Sequence, residues 1–217
     1  MLDVSVKKLG GLSLIIGPVV AVISFLFRPG GGLIGGQVDP ADFAASIDVA
    51  MSNAAAATAS FLLVPIGLIA MLFGFTVVMD HLKDKSGEAI RRLGLAFALF
   101  GVVGWTVSSA EAVLIAGGGA GTSAEAVYAV SIAINGSASV LAGIGFSLIV
   151  CGVYVSGQYN KIFTLITLVA QFVLLATSVL AAVDLSFAQT AGMIGGIAYM
   201  ITVVWGIMIG LALIKNE

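Results

Sequence analysis

Charged residues are so sparse along this chain that they divide it into long apolar runs. Six stretches lack Asp, Glu, Lys and Arg altogether: Leu9 to Phe27, Val49 to Met79, Leu93 to Ala110, Ala126 to Asn160, Ile162 to Val183 and Leu185 to Ile214. The third continues past its single acid, Glu111, through Val113, Leu114, Ile115 and Ala116. Runs such as Phe61 to Ala70 and Ile162 to Ala176 are apolar on every face, which excludes the alternation of a porin strand. A helix needs about 20 apolar residues to cross a bilayer. The pattern therefore predicts an all-α fold: one polytopic membrane domain over residues 1–217, built as a bundle of six transmembrane helices. The spans are expected at about 9–28, 58–79, 93–116, 135–155, 162–183 and 193–214.

Composition agrees with that reading and removes other classes. Of the 217 residues 60% are apolar, nine are basic and eleven acidic, and mean hydropathy is +1.17. Too little polar surface is left to cover a soluble core. The charge balance makes no basic field for nucleic acid, and one cysteine allows neither a disulfide framework nor a Cys-type zinc site. The basic residues also set an orientation, because cytoplasmic flanks carry Lys and Arg in excess. Lys7, Lys8, Lys83, Lys85, Arg91, Arg92, Lys161 and Lys215 flank the spans on one side, and Arg28 is alone on the other. Both termini are thus expected in the cytoplasm (N-in, C-in), with loops 28–55, 117–125 and 184–191 outside the cell membrane. Lys7, Lys8 and the run after them also fit a signal peptide. The run exceeds the usual h-region of about 7–15 residues, and Arg28-Pro29-Gly30 stands where a cleavage site would need small residues.

Counting outward from the cytoplasmic boundaries leaves two segments longer than a crossing requires. An interfacial helix is expected at 40–53, with Asp39 as N-cap, Pro40 at the first helical position, and Phe43, Ile47, Ala50 and Met51 along one face. Before span four, Thr122-Ser123-Ala124-Glu125 reads as a capping box, and Asn135-Gly136 as a bend where the helix enters the membrane.

Lipid supplies no hydrophobic drive for helix association, so small residues must permit close contact. Many of the 28 glycines lie inside spans. Gly206 and Gly210 form a literal GxxxG, which suits either a homo-oligomer contact or, the simpler reading, packing within one bundle. Pro18 and Pro65 lie inside spans one and two, where each removes a backbone hydrogen bond and tends to kink the helix.

Ionisable groups at membrane depth are costly and mark candidate sites. Glu111 is the one good candidate. Arg28, Asn135 and Asp184 fall at nearly the same height, so the geometry allows a polar cluster of the four at the outer mouth, either a solute or proton site built on Glu111 with Arg28 as counter-charge or, the simpler reading, an interfacial salt bridge or solvated carboxylate that fixes helix order. Gln171 falls near mid-membrane and needs a partner, for which Ser147 or the backbone of another helix is available. Trp105 and Trp205 are also mid-span, which suits packing inside the bundle. Catalytic machinery is not expected. His81 is the only histidine, no lysine lies within a span, Cys151 is buried in span four, and the GxGxxG match at Gly30, Gly32 and Gly35 follows no strand. No cofactor or metal is implied. The loop Asp80 to Glu88 mixes both charges and suits a solvated turn.

Three segments resemble a prokaryotic family of six-helix integral membrane proteins of unknown function. They are the acidic, alanine-rich ADFAASIDVAMSNAAAA at Ala41 to Ala57, RRLGLAFALFG at Arg91 to Gly101, and CGVYVSGQYNK at Cys151 to Lys161. The resemblance implies the six-helix fold and carries no catalytic motif. The chain is accordingly expected to be a non-enzymatic accessory or scaffold subunit whose partners are the lipid bilayer and either itself or other membrane subunits, with no nucleic acid. The alternative is a small solute or proton transporter or channel using Glu111 and Arg28. An enzyme acting on lipid or quinone ranks third.

Overall fold

The computed structural model describes residues 4–215. Seven α-helices occupy most of them: α1 (Val6–Leu26), α2 (Phe43–Ser52), α3 (Ala54–His81), α4 (Glu88–Ala116), α5 (Ala124–Ser156), α6 (Lys161–Val183) and α7 (Ala188–Lys215). All but α2 are long and apolar enough to cross a membrane. Single 3-10 turns at Gly121–Ser123 and Leu185–Phe187 precede α5 and α7.

Each long helix packs on the next in sequence, and α7 returns to pack on α1, so the six close into a ring. Glycine sets the closest crossings. Gly17 meets Gly67 between α1 and α3, Gly94 and Gly101 meet Gly145 and Ala142 between α4 and α5, and Gly11 meets Gly210 between α1 and α7. These pairings are antiparallel, so residues near both ends of the described chain share one end of the bundle, termed here the terminal end. The opposite end is covered by α2 and loop 27–42 and is termed the capped end.

Gly206 and Gly210 both face α1 within the same chain: a Cβ on Gly210 would fall 3.0 Å from Ile15, and one on Gly206 3.4 Å from the Leu14 carbonyl. Helices α1 and α3 continue unbroken through Pro18 and Pro65, and both prolines are buried. The centre of the ring is filled. The Phe75 ring lies 5.8 Å from that of Trp205 and 6.1 Å from that of Phe146, and Leu14, Met71, Ile149 and Ile209 close around them. Two apolar grooves indent the outer surface: one of about 510 Å³ between α6 and α7, and one of about 300 Å³ between α4 and α5.

The helix starts differ from expectation at two places. The interfacial helix begins at Phe43, capped by Asp42, whose carboxylate accepts from the Ala45 N–H at 3.0 Å. Asp39 instead accepts from the Ala41 N–H at 2.9 Å, a local turn that keeps Pro40 outside the helix. At the start of α5, neither Thr122 nor Ser123 makes a side-chain cap; the 3-10 turn satisfies Ser123 N–H on the Ala120 carbonyl at 3.0 Å. From there α5 runs through Asn135 and Gly136 as one continuous helix.

Candidate functional site

At the capped end, α1 stops at Leu26 and the chain folds back on itself. Gly32 and Gly31 donate to the Arg28 carbonyl, Ile34 and Gly35 to that of Leu26, and Val38 to that of Gly30. This tight glycine loop holds the half-buried Arg28 against two aromatic rings, its guanidinium carbon 5.1 Å from the Phe25 centroid and 5.5 Å from that of Phe61. Such contacts contribute about 0.5–2 kcal/mol each, more as water is excluded. Burial lowers the pKa of Arg28, opposed by the nearby Tyr128 hydroxyl. Tyr128 itself packs edge-on against Phe43 of α2, ring centroids 5.1 Å apart.

The four residues expected at one polar mouth are engaged separately. Among the described residues the one ion pair is Arg92 with Glu88 at 2.8 Å, so Arg28 does not pair with Glu111. Glu111 is half-buried in α4, and its Oε2 is sealed from the surface with no hydrogen-bond partner. Asn135 is exposed on α5 and offers its backbone carbonyl to the Ser139 hydroxyl at 2.7 Å. Asp184 is exposed and accepts from both the backbone N–H and the hydroxyl of Ser186, which hold its carboxyl below the usual range.

Polar side chains inside the ring pair across helices. The Gln171 amide donates to the Thr202 hydroxyl of α7, not to Ser147, whose hydroxyl is buried without a partner, as is Gln171 Oε1. Trp205 Nε1 donates to Thr164 at 3.2 Å, and Trp105 Nε1 to Ser139 at 3.0 Å. Ser108 and Ser131 bond reciprocally, each hydroxyl reaching the other residue's carbonyl at 3.1 and 3.0 Å. Thr164, Ser131 and Thr202 escaped notice in the sequence because a hydroxyl in an apolar run also satisfies itself on the carbonyl one turn back.

The terminal end holds a group that charge counting did not single out. Arg91 is fully buried, with 0% exposure, and reaches three carbonyls at 2.8 Å: Ser86 and Gly152 through Nη1 and Leu82 through Nη2. Gly87, at φ 81°, lets the turn before α4 press onto α5, where any side chain would strike the Gly152 carbonyl. Leu82 ends α3 and Gly152 lies in the last turns of α5, so the cation sits at the negative ends of two helices. Tyr159 lies nearby, its hydroxyl pushed up to about 12 by burial against the opposing pull of Arg91.

No group of three or more His, Cys, Asp and Glu suited to a metal occurs among the described residues. No family model, curated protein or solved structure matches the chain.

Proposed function

We propose that this protein is a non-enzymatic integral membrane protein that serves as an accessory or scaffold subunit, assembled with itself or with other membrane subunits. The observation that carries the reading is the filled centre of the helix ring, where Phe75, Phe146 and Trp205 stack in place of a pathway. The cross-helix pairs Gln171–Thr202, Trp205–Thr164 and Ser108–Ser131 direct polar groups to one another, as a structural part requires. The exposed Lys8, Lys83, Lys85, Arg92, Lys161 and Lys215 gather at the terminal end, which supports a cytoplasmic orientation for it.

Purification in mild detergent followed by crosslinking tests the assembly. A complex of fixed stoichiometry is expected, and a strict monomer with no membrane partner refutes the proposal. Orientation is tested by introducing cysteines beside Lys83 and Gly119 in a Cys151→Ala background. In intact cells an impermeant thiol reagent should label only the position beside Gly119.

One observation favours a second reading, a small solute or proton transporter: the partnerless, sealed carboxylate oxygen of Glu111. Under that reading Glu111→Gln lowers flux into liposomes, and unchanged flux removes this residue from any mechanism.

A further inference from the structure

We propose that Arg28 anchors an oxyanion site at the capped end, one that takes a phosphate group. Among the described residues Arg28 is the one Lys or Arg at that end, and its surroundings hold it without neutralising it. It makes no ion pair among the described residues, and none of its nitrogens bonds to a protein acceptor. The acids of the same loop are occupied elsewhere, Asp39 by the Ala41 N–H and Asp42 by the Ala45 N–H. Phe25 and Phe61 lie against the guanidinium, its carbon 5.1 and 5.5 Å from their ring centroids, and neither ring offers an acceptor to its N–H groups. A guanidinium matches two oxygens of a phosphate with two parallel hydrogen bonds.

Arg28 is half-buried, and none of its nitrogens is among the partnerless side-chain atoms sealed from the surface. The end of a transmembrane helix is also the level at which lipid headgroups lie. A headgroup phosphate and a free phosphate present the same chemistry.

Gly31 provides a test that leaves the charge in place. A Cβ at Gly31 would fall 2.6 Å from Arg28 Nε and strike its terminal nitrogen, the mobile end of a flexible side chain. Gly31→Ala therefore displaces the guanidinium from its seat while the backbone stays.

Two arms separate the sources. In the first, the full chain is reconstituted in vesicles of phosphatidylcholine and phosphatidylglycerol, and phospholipid retained on release is counted by native mass spectrometry. In the second, inorganic phosphate is titrated calorimetrically onto protein in dodecyl maltoside, a detergent without phosphate. Arg28→Gln and Gly31→Ala are each expected to weaken binding roughly tenfold or more. Lys161→Gln, an exposed cation at the terminal end, should leave it unchanged. A loss in the first arm identifies a lipid headgroup, and a loss in the second a soluble phosphate. Where Arg28→Gln fails to fold, Gly31→Ala decides. Equal binding by parent and variants in both arms overturns the proposal, as does the absence of bound phosphate in both or a loss confined to Lys161→Gln.

Discussion

Replacing Arg91 with methionine removes the cation and keeps most of the side-chain volume, which isolates what the buried guanidinium contributes. Its three hydrogen bonds, all at 2.8 Å, tie the end of α3, the turn before α4 and the last turns of α5 together. A bond to a charged group contributes about 1.5–3 kcal/mol, so the three give roughly 5–9 kcal/mol before costs. The substitution also relieves the desolvation of a buried ion, which amounts to several kcal/mol. The Leu82 carbonyl keeps the Lys85 N–H at 3.1 Å and Ser86 lies at the surface, so what remains is the loss of three charge-assisted bonds less the relieved desolvation, and Arg91→Met is expected to destabilise the fold by about 3 kcal/mol. In a chain of this size that lowers Tm by roughly 10 °C. Thermal unfolding in detergent measures it. Arg92→Ala is the control, since Arg92 is exposed and bonds only Glu88 one turn away, and its Tm should match the parent's. If Arg91→Met melts with Arg92→Ala, the three carbonyls find other donors and the clamp is not what holds this end.

Other consequences are equally open to measurement. Gly101→Val should force α4 from α5, because the new Cβ would lie 2.6 Å from the Ala142 backbone nitrogen; a loss of about 1–3 kcal/mol is expected in denaturant titration. A double-mutant cycle of Gln171→Leu and Thr202→Val should return a coupling of about 1 kcal/mol, and a value near zero would mean that the pair holds nothing. The raised Tyr159 pKa means that the folded state keeps the phenol proton more tightly than the unfolded chain. Its stabilisation is complete below pH 10.0 and disappears as pH rises through about 12, so Tyr159→Phe should flatten the alkaline loss of stability across that window.

The candidate site was legible only in part. Glu111 and Arg28 are conspicuous in the sequence because a charge near an apolar run has few neutral explanations. Their separation was not, since height along a helix follows from residue counting and direction does not. Ser108, one turn before Glu111, bonds across to α5, while the glycine loop holds Arg28 against Phe25 and Phe61. The same ambiguity attended Gln171: depth was countable, but the choice between Ser147 and Thr202 depended on which helix stood opposite. At the helix starts, Asp39 and Asp42 were equally good caps in composition, and only the turn around Pro40 decided between them.

What the amino acids determined alone is the six apolar helices and their approximate limits, because hydrocarbon tolerates no unpaired backbone and the charge-free runs have only one way to satisfy theirs. Closure of the ring, the Phe75–Phe146–Trp205 centre, the burial of Arg91 and the seat of Arg28 were decided by tertiary structure. Spans apolar on every face carry no stripe to say which side turns inward, so neighbours are chosen by where glycines let two backbones approach and where a donor on one helix meets an acceptor on the next.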